Sequence, residues 1–346
     1  MASIFALVVV LKDEGEAQLA AIAPQAEGDV AAIPGGMAGE EAAPSMVTDV
    51  LDKRGRQKPA NGKSGATVGA AIASLALPIE TSGRVSEVPE GPETAAKPAW
   101  QQFAALWPHV DKPILAIVID DLGLSEEATL TLARMQGPYT LAFLPYADNL
   151  GSQTSLMKQA GHELMVHMPM QPKSNDADPG KNALLTDLTP EEFDRRLEWN
   201  LSRFEGYVGI NNHMGSELTE DAGAMVRVMV RLRAKRHLFL DSLTSPKSVG
   251  TRAARATGVA YIARDIFLDN VREENAVLEQ LAKAERIALR RGYAVAIGHP
   301  YDVTLETLRV WRDTLERRGF ALVPLSQIMA EKQAQQPIKV IGGEAR

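Results

Sequence analysis

Six apolar positions run without a break over residues 114–119, and two carboxylates, Asp120 and Asp121, follow at once. A run of that length, rich in Ile and Val, predicts a strand buried on both faces. Comparable runs recur at 140–144, 163–167, 208–211, 238–241, 260–263, 294–297 and 321–323. The stretches between them carry helix signals. Ser125 precedes Glu126 and Glu127, acids favoured in a first turn by the helix dipole. Thr189-Pro190-Glu191-Glu192 combines an N-cap, a proline at the first helical position and a capping-box glutamate. Thr219-Glu220-Asp221 and Thr304-Leu305-Glu306 mark further starts, and 273–291 reads as a long helix with Leu278, Leu281, Ile287 and Leu289 set among charges. Repeated strand–helix units predict an α/β fold of parallel strands with right-handed crossovers. Seven or eight of them in one domain favour a distorted β/α barrel over an open doubly wound sheet.

Ahead of residue 100 this pattern disappears. Residues 12–99 are rich in Ala, Gly, Pro and Glu, and no Phe, Tyr or Trp occurs between Phe5 and Trp100. Such a stretch buries too little apolar surface to offset its ordering entropy, which predicts a disordered linker. Within it, 66–77 is Ala-rich enough for a transient helix. Residues 4–11 are apolar but shorter than the ~20 residues a membrane helix needs, and no Lys or Arg precedes them. They read as a degenerate or truncated membrane anchor over 1–11. The expected plan is therefore a catalytic domain over 100–330, tethered in the cell envelope on the periplasmic side, with a flexible tail at 331–346. Trp100, Phe103 and Trp107 suggest a short helix packed on the domain.

Composition narrows the chemistry. The 346-residue chain carries a net charge of −7 and no cysteine. Without a basic block, nucleic acid is not an expected partner. Any metal must be held by His, Asp or Glu, a donor set suited to zinc and other divalent ions. Gly35, Gly36 and Gly39 follow no strand, so a dinucleotide loop fails its context test.

A parallel barrel gathers its active site at the C-terminal ends of its strands. Asp120 and Asp121 end the first strand and His167 the third. Asn211, Asn212 and His213 follow the fourth, Asp241 and Ser242 the fifth, Arg264 and Asp265 the sixth, and His299 the seventh. His162 and His237 precede strands and His109 precedes the first, which assigns those three to packing or surface. Two histidines and a carboxylate are a common set for catalytic zinc, and Asp121, His167 and His213 form the expected triad. Asp120 is then placed to accept a proton from water, and His299 to protonate a leaving group. Asp265 or Asp241 is expected to orient His299; each could instead form a structural ion pair, Asp265 with the adjacent Arg264. Asn211, Asn212 and Ser216 could bind a hydroxylated substrate, or could build a tight turn. Met168, Met170 and Met214 could line an apolar subsite or simply pack.

In this order IDDLG, GHELMVHMPM, NNHMGS, FLDS, RDIFLDN and AIGHP resemble the divergent polysaccharide deacetylase family, a branch of the NodB-homology carbohydrate esterases. The likeness spans residues 114–328. It implies a distorted β/α barrel and a metal-dependent hydrolase of N- or O-acetyl groups on a polysaccharide or peptidoglycan. It assigns Asp120 as base, Asp121 and His167 as metal ligands and His299 as general acid. The superfamily's second metal histidine falls on Gln171, so His213 is expected to replace it. The superfamily's arginine motif is absent, and Arg264 is expected to orient Asp120. These departures leave an alternative: an inactive, carbohydrate-binding or regulatory envelope protein on the same barrel.

Overall fold

The computed structural model describes residues 97–334. The expected anchor, nearly all of the expected linker, and most of the tail lie outside the described residues. Among the described residues no helix is long and apolar enough to cross a membrane.

Among the described residues nine parallel strands form one sheet. They are β1 (Ile114–Leu122), β2 (Thr140–Phe143), β3 (Glu163–Met170), β4 (Gly209–Met214), β5 (Leu238–Asp241), β6 (Tyr261–Ala263), β7 (Ile266–Phe267), β8 (Tyr293–Gly298) and β9 (Ala321–Leu322). Their order is β6-β5-β4-β3-β2-β1-β8-β7, with β9 paired to the start of β1. The sheet curls until its two edges meet on a single segment. Arg264 N–H donates to Asp241 O at 3.0 Å, and the next residue, Asp265, donates to Val295 O at 2.8 Å. One extended stretch thus pairs first with β5 and then with β8, and backbone hydrogen bonds close the ring. The expected barrel is present, and the distortion is this change of partner.

Alternation along the strands separates two apolar layers. Leu115, Ile117 and Ile119 pack outward with helix residues such as Leu132, Phe193 and Leu281. Ile114, Ala116 and Val118 point inward with Met165, Leu240, Val295 and Ile297. Trp100, Leu325, Ile328 and Met329 join that inner layer and plug the base. There Glu163 accepts from Thr140 Oγ1 and from Ser326 N–H in the first turn of helix Leu325–Ala334. Two capping signals operate as expected: Ser125 accepts from Ala128 N–H and Thr189 from Glu192 N–H. The start expected at Thr219 falls two residues on, where Asp221 accepts from Ala224 N–H, and the helix expected from Thr304 begins earlier, at Asp302, without a side-chain cap. The helix expected over Trp100, Phe103 and Trp107 is shorter, Ala99–Gln102, and only Trp100 is buried. Met168 and Met170 face the outer layer, not the rim.

Candidate active site

The site begins with an irregularity in β1. Ile119 pairs with Leu141, but the next pair is Leu122 with Phe143, so β1 carries one extra residue, a β-bulge. Asp120 continues the inward series of Ala116 and Val118. Strict alternation would turn Asp121 outward into the helix layer. Instead Asp121 adopts φ 57°, the left-handed conformation that Asp tolerates better than most residues. Both carboxylates therefore face the barrel mouth. Met214, the last residue of β4, and Leu243, two residues past β5, also have positive φ, 53° and 49°. Such backbone conformations cluster where a site is being shaped.

Three side chains converge on Asp121. Its Oδ1 lies 2.9 Å from His213 Nδ1 and 3.2 Å from His167 Nε2, and its Oδ2 lies 3.7 Å from His299 Nε2. Ligating atoms of Asp121, His167 and His213 all fall within 4.8 Å of one another. Asp120 Oδ2 stands 3.6 Å from His167 Nε2. Asn211 joins the two sides: Nδ2 donates to both oxygens of Asp120, at 2.8 and 3.0 Å, while Oδ1 faces His167 Nδ1 at 2.9 Å.

The ionisation states follow from burial and charge. Burial would raise the Asp121 pKa, but contacts with His167 and His213 outweigh it and hold the carboxyl well below its usual range. Burial likewise opposes a charge on His167, yet the Asp120 and Asp121 carboxylates push it up to about 9. For Asp120 burial wins, and its pKa is raised despite His167, His299 and Asn211. His299 is raised too: burial opposes its charge, but the hydrogen bond to Asp269 and the nearby carboxylates prevail.

The donor set fits a divalent ion. Asp121 Oδ1 is buried without a hydrogen-bond partner among the described residues, though two imidazole nitrogens stand at about contact distance. Two ligands each about 2.0–2.2 Å from a tetrahedral ion lie roughly 3.3–3.6 Å apart, so the 2.9 and 3.2 Å separations about Asp121 Oδ1 need open by only a few tenths of an ångström (~0.1–0.7 Å) to admit one. Asp121, His167 and His213 could hold such an ion with positions left open.

Other expected members are elsewhere. His299 is oriented by Asp269, not by Asp265 or Asp241. Asp269 Oδ1 meets His299 Nδ1 at 3.0 Å, and Oδ2 accepts from His299 N–H at 2.6 Å and Thr304 Oγ1 at 2.9 Å. Asp265 is paired with Arg291 and accepts from Val295 N–H; Arg264 is not its partner. Asp241 falls on the outward phase of β5 and accepts from Leu243 N–H and Ser248 Oγ, fixing the loop ahead of helix Gly250–Thr257. Its neighbour Ser242 faces inward, 3.2 Å from Asn211 Nδ2. Arg264 does not orient Asp120. Its guanidinium donates to Ser242 O and Leu243 O and lies over Phe267, while Asn211 holds the carboxylate.

Asn212 and Ser216 are also committed to structure rather than to the open rim. Asn212 Nδ2 donates to Met214 O and Thr244 Oγ1, and its Oδ1 accepts from Ser242 N–H. Ser216 Oγ accepts from Lys173 N–H. Gln171 accepts from Thr186 N–H and Oγ1 and so pins the loop after β3. His162 accepts from Tyr139 N–H and lies 3.0 Å from Leu132 O, while buried His237 stacks on Tyr207. His109 sits exposed beside Asp111 and Glu331. None of the three joins the cluster around Asp121, as their place before strands implied.

Two aromatic residues complete the rim. Burial, with the Asp121 charge contributing, raises the hydroxyl pKa of Tyr146 and Tyr301. Tyr301 lies beside the His299 ring, 5.5 Å between centroids, with Arg272 over its far side at 3.9 Å. Each tyrosine comes three residues after the end of β2 or β8, the same positional signal that found the histidines.

A model of the divergent polysaccharide deacetylases matches residues 117–329. The chain is 35% identical over 235 residues to the uncharacterized protein YibQ of Escherichia coli K12, covering 67% of this chain and 73% of that protein. It is 34% identical over 197 residues to an uncharacterized protein of Haemophilus influenzae, covering 56% and 69%. The crystal structure of an uncharacterized protein from Agrobacterium tumefaciens C58 matches with a TM-score of 0.65 and 26% identity, over 67% of this chain and 95% of that one.

Proposed function

The chain belongs to the divergent polysaccharide deacetylase family, and from that premise we propose that it is a metal-dependent hydrolase removing N- or O-acetyl groups from a polysaccharide or peptidoglycan fragment. The observation that carries this reading is the convergence of Asp121, His167 and His213 between Asp120 on one side and His299 on the other. His213, from β4, supplies the third ligand that Gln171 does not.

A divalent ion held by Asp121, His167 and His213, with zinc the best match to two imidazoles and a carboxylate, supplies Lewis acidity at the acetyl carbonyl and acidifies water. Asp120, clamped by Asn211, accepts the proton that water loses on attacking the carbonyl carbon. His299, braced by Asp269, gives a proton to the departing nitrogen or oxygen, so acetate and a free amine or hydroxyl result. Tyr146 and Tyr301 flank the mouth beside Asp121 and His299. A substrate of this class places the work in the cell envelope, on the periplasmic side.

The test is metal content together with acetate release. Purified chain loaded with zinc or cobalt should release acetate from N-acetylated chito-oligosaccharides or peptidoglycan fragments. Close to one bound ion per chain with no release from either class would overturn the proposal.

A further inference from the structure

Asn211 is fully buried on β4, and its amide is surrounded by Asp120, His167 and Ser242. Alternation puts Asn211 inside the barrel and Asn212 outside, so adjacent identical residues do different work. Charge decides which way the Asn211 amide turns. Nδ2 has two N–H groups; one reaches the Asp120 carboxylate and the other Ser242 Oγ at 3.2 Å. Turned over, Oδ1 would be forced against that carboxylate, acceptor against acceptor, at a place without solvent to compensate. With the nitrogen on Asp120, Oδ1 must face His167 Nδ1 at 2.9 Å, and an amide oxygen can only accept. When the ring is neutral, as a metal ligand must be, His167 Nδ1 is therefore the nitrogen that keeps its proton. The lone pair of the neutral ring lies on Nε2, the atom 3.2 Å from Asp121 Oδ1.

We propose that Asn211 is a positioning residue with two outputs: it holds the base Asp120, and it dictates the nitrogen through which His167 binds a divalent cation. The inference rests on the reading of the site given above. An amide does both without charge, so no positive group is added beside the cation. Asn211 is fully buried and both of its N–H groups are taken, so it offers no donor to substrate.

Two substitutions separate the outputs. Asn211→Ala removes both contacts. Asn211→Asp keeps an oxygen toward His167 but replaces the donor to Asp120 with a second acceptor. Cobalt(II) titrated into the purified full-length chain, followed by its visible absorption and by chelator competition, gives the affinity. Asn211→Ala should weaken cobalt binding about 10–100-fold, the usual cost of losing a hydrogen-bond partner behind a ligand histidine. Asn211→Asp should bind cobalt as well as the unmodified chain, yet lose turnover as fully as Asn211→Ala. Unchanged cobalt affinity in Asn211→Ala, or equal weakening in both variants, overturns the proposal. Should neither variant fold, nitrogen-15 spectra of the unmodified zinc-loaded chain decide. His167 ligated through Nε2 with a proton on Nδ1 supports the proposal, and ligation through Nδ1 overturns it. An unmodified chain that takes up no cobalt overturns this proposal and the hydrolase reading together. Uptake without acetate release overturns the hydrolase alone, and the affinity contrast still decides Asn211.

Discussion

Replacing Asp269 with Asn tests whether His299 acts as a proton donor. The amide fits the same buried space. Its oxygen can keep the two contacts that Oδ2 makes, with His299 N–H and Thr304 Oγ1, but its NH₂ then faces His299 Nδ1. An imidazolium needs a proton on Nδ1, and in the variant that proton would meet another donor. The lost charge-assisted hydrogen bond is worth about 1.5–3 kcal/mol, and at 1.36 kcal/mol per decade this is roughly a 10–150-fold loss of the donating form. The direction agrees with the raised His299 pKa, which burial opposes and Asp269 helps to sustain. The assay compares two leaving groups. Acetate release from an N-acetylated chito-oligosaccharide requires protonation of an amine, whereas 4-nitrophenyl acetate expels a phenolate that needs no proton. The expected result is a fall of about 10²-fold on the amide and only a few-fold on the aryl ester, with thermal unfolding still cooperative. An equal loss on both substrates in a folded variant would refute the role of proton donor; no loss on the amide would refute the Asp269–His299 pair.

His167→Ala and His213→Ala should each reduce bound zinc from near one equivalent to a small fraction after dialysis, measured by atomic emission; retention by His213→Ala would remove the third ligand from the model of the site. In vivo, Asp120→Asn at normal protein level should copy a deletion, whereas behaviour like the unmodified strain would favour the inactive, binding alternative. Burial lowers the His237 pKa to about 4, so its contribution to stability is complete above its unfolded value of about 6.5 and is lost as pH falls toward 4. That amounts to about 2 kcal/mol between pH 8 and 5, and urea unfolding of His237→Gln should show a shallower acid loss; an unchanged slope would refute it. Gly209→Ala would place a Cβ 2.1 Å from the Leu238 carbonyl oxygen. It should destabilise the fold by about 2–3 kcal/mol or more, and an unshifted melting temperature would contradict the β4–β5 register.

The barrel was legible because parallel strands buried on both faces leave unbroken apolar runs, and those runs ended within a few residues of the true rim. His167, His213 and His299, which strand position alone puts at the rim, do meet around Asp121, and the other three lie away from it. Asp269 was missed for a definite reason. β7 is two residues long, Ile266 and Phe267, too short to leave a periodic signal. Without it the sixth strand ended at Ala263, and Asp265 looked like the rim carboxylate. Once the chain changes partner to β8, the rim moves on to Asp269. Asp241 failed through phase: it ends β5 as expected but on the outward side, and only pairing shows that Ser242 is the inward residue. Asn211 was recognised as a rim residue, but the contacts that bind it to Asp120 and His167 join positions 91 and 44 residues apart and have no local trace.

The bulge in β1 governs how its second carboxylate can be interrogated. Alanine at Asp121 removes the ligand and also puts a residue with no side-chain hydrogen bond into a left-handed backbone. A null result from Asp121→Ala therefore confounds lost coordination with a straightened strand that no longer presents Asp120. Asparagine is at home in that conformation and nearly isosteric, so Asp121→Asn changes ligand charge while leaving the kink in place. Glycine gives the complementary control, keeping the kink and deleting the ligand. Read together, the asparagine and glycine variants report on coordination at constant backbone geometry, and alanine minus glycine reports on the geometry itself.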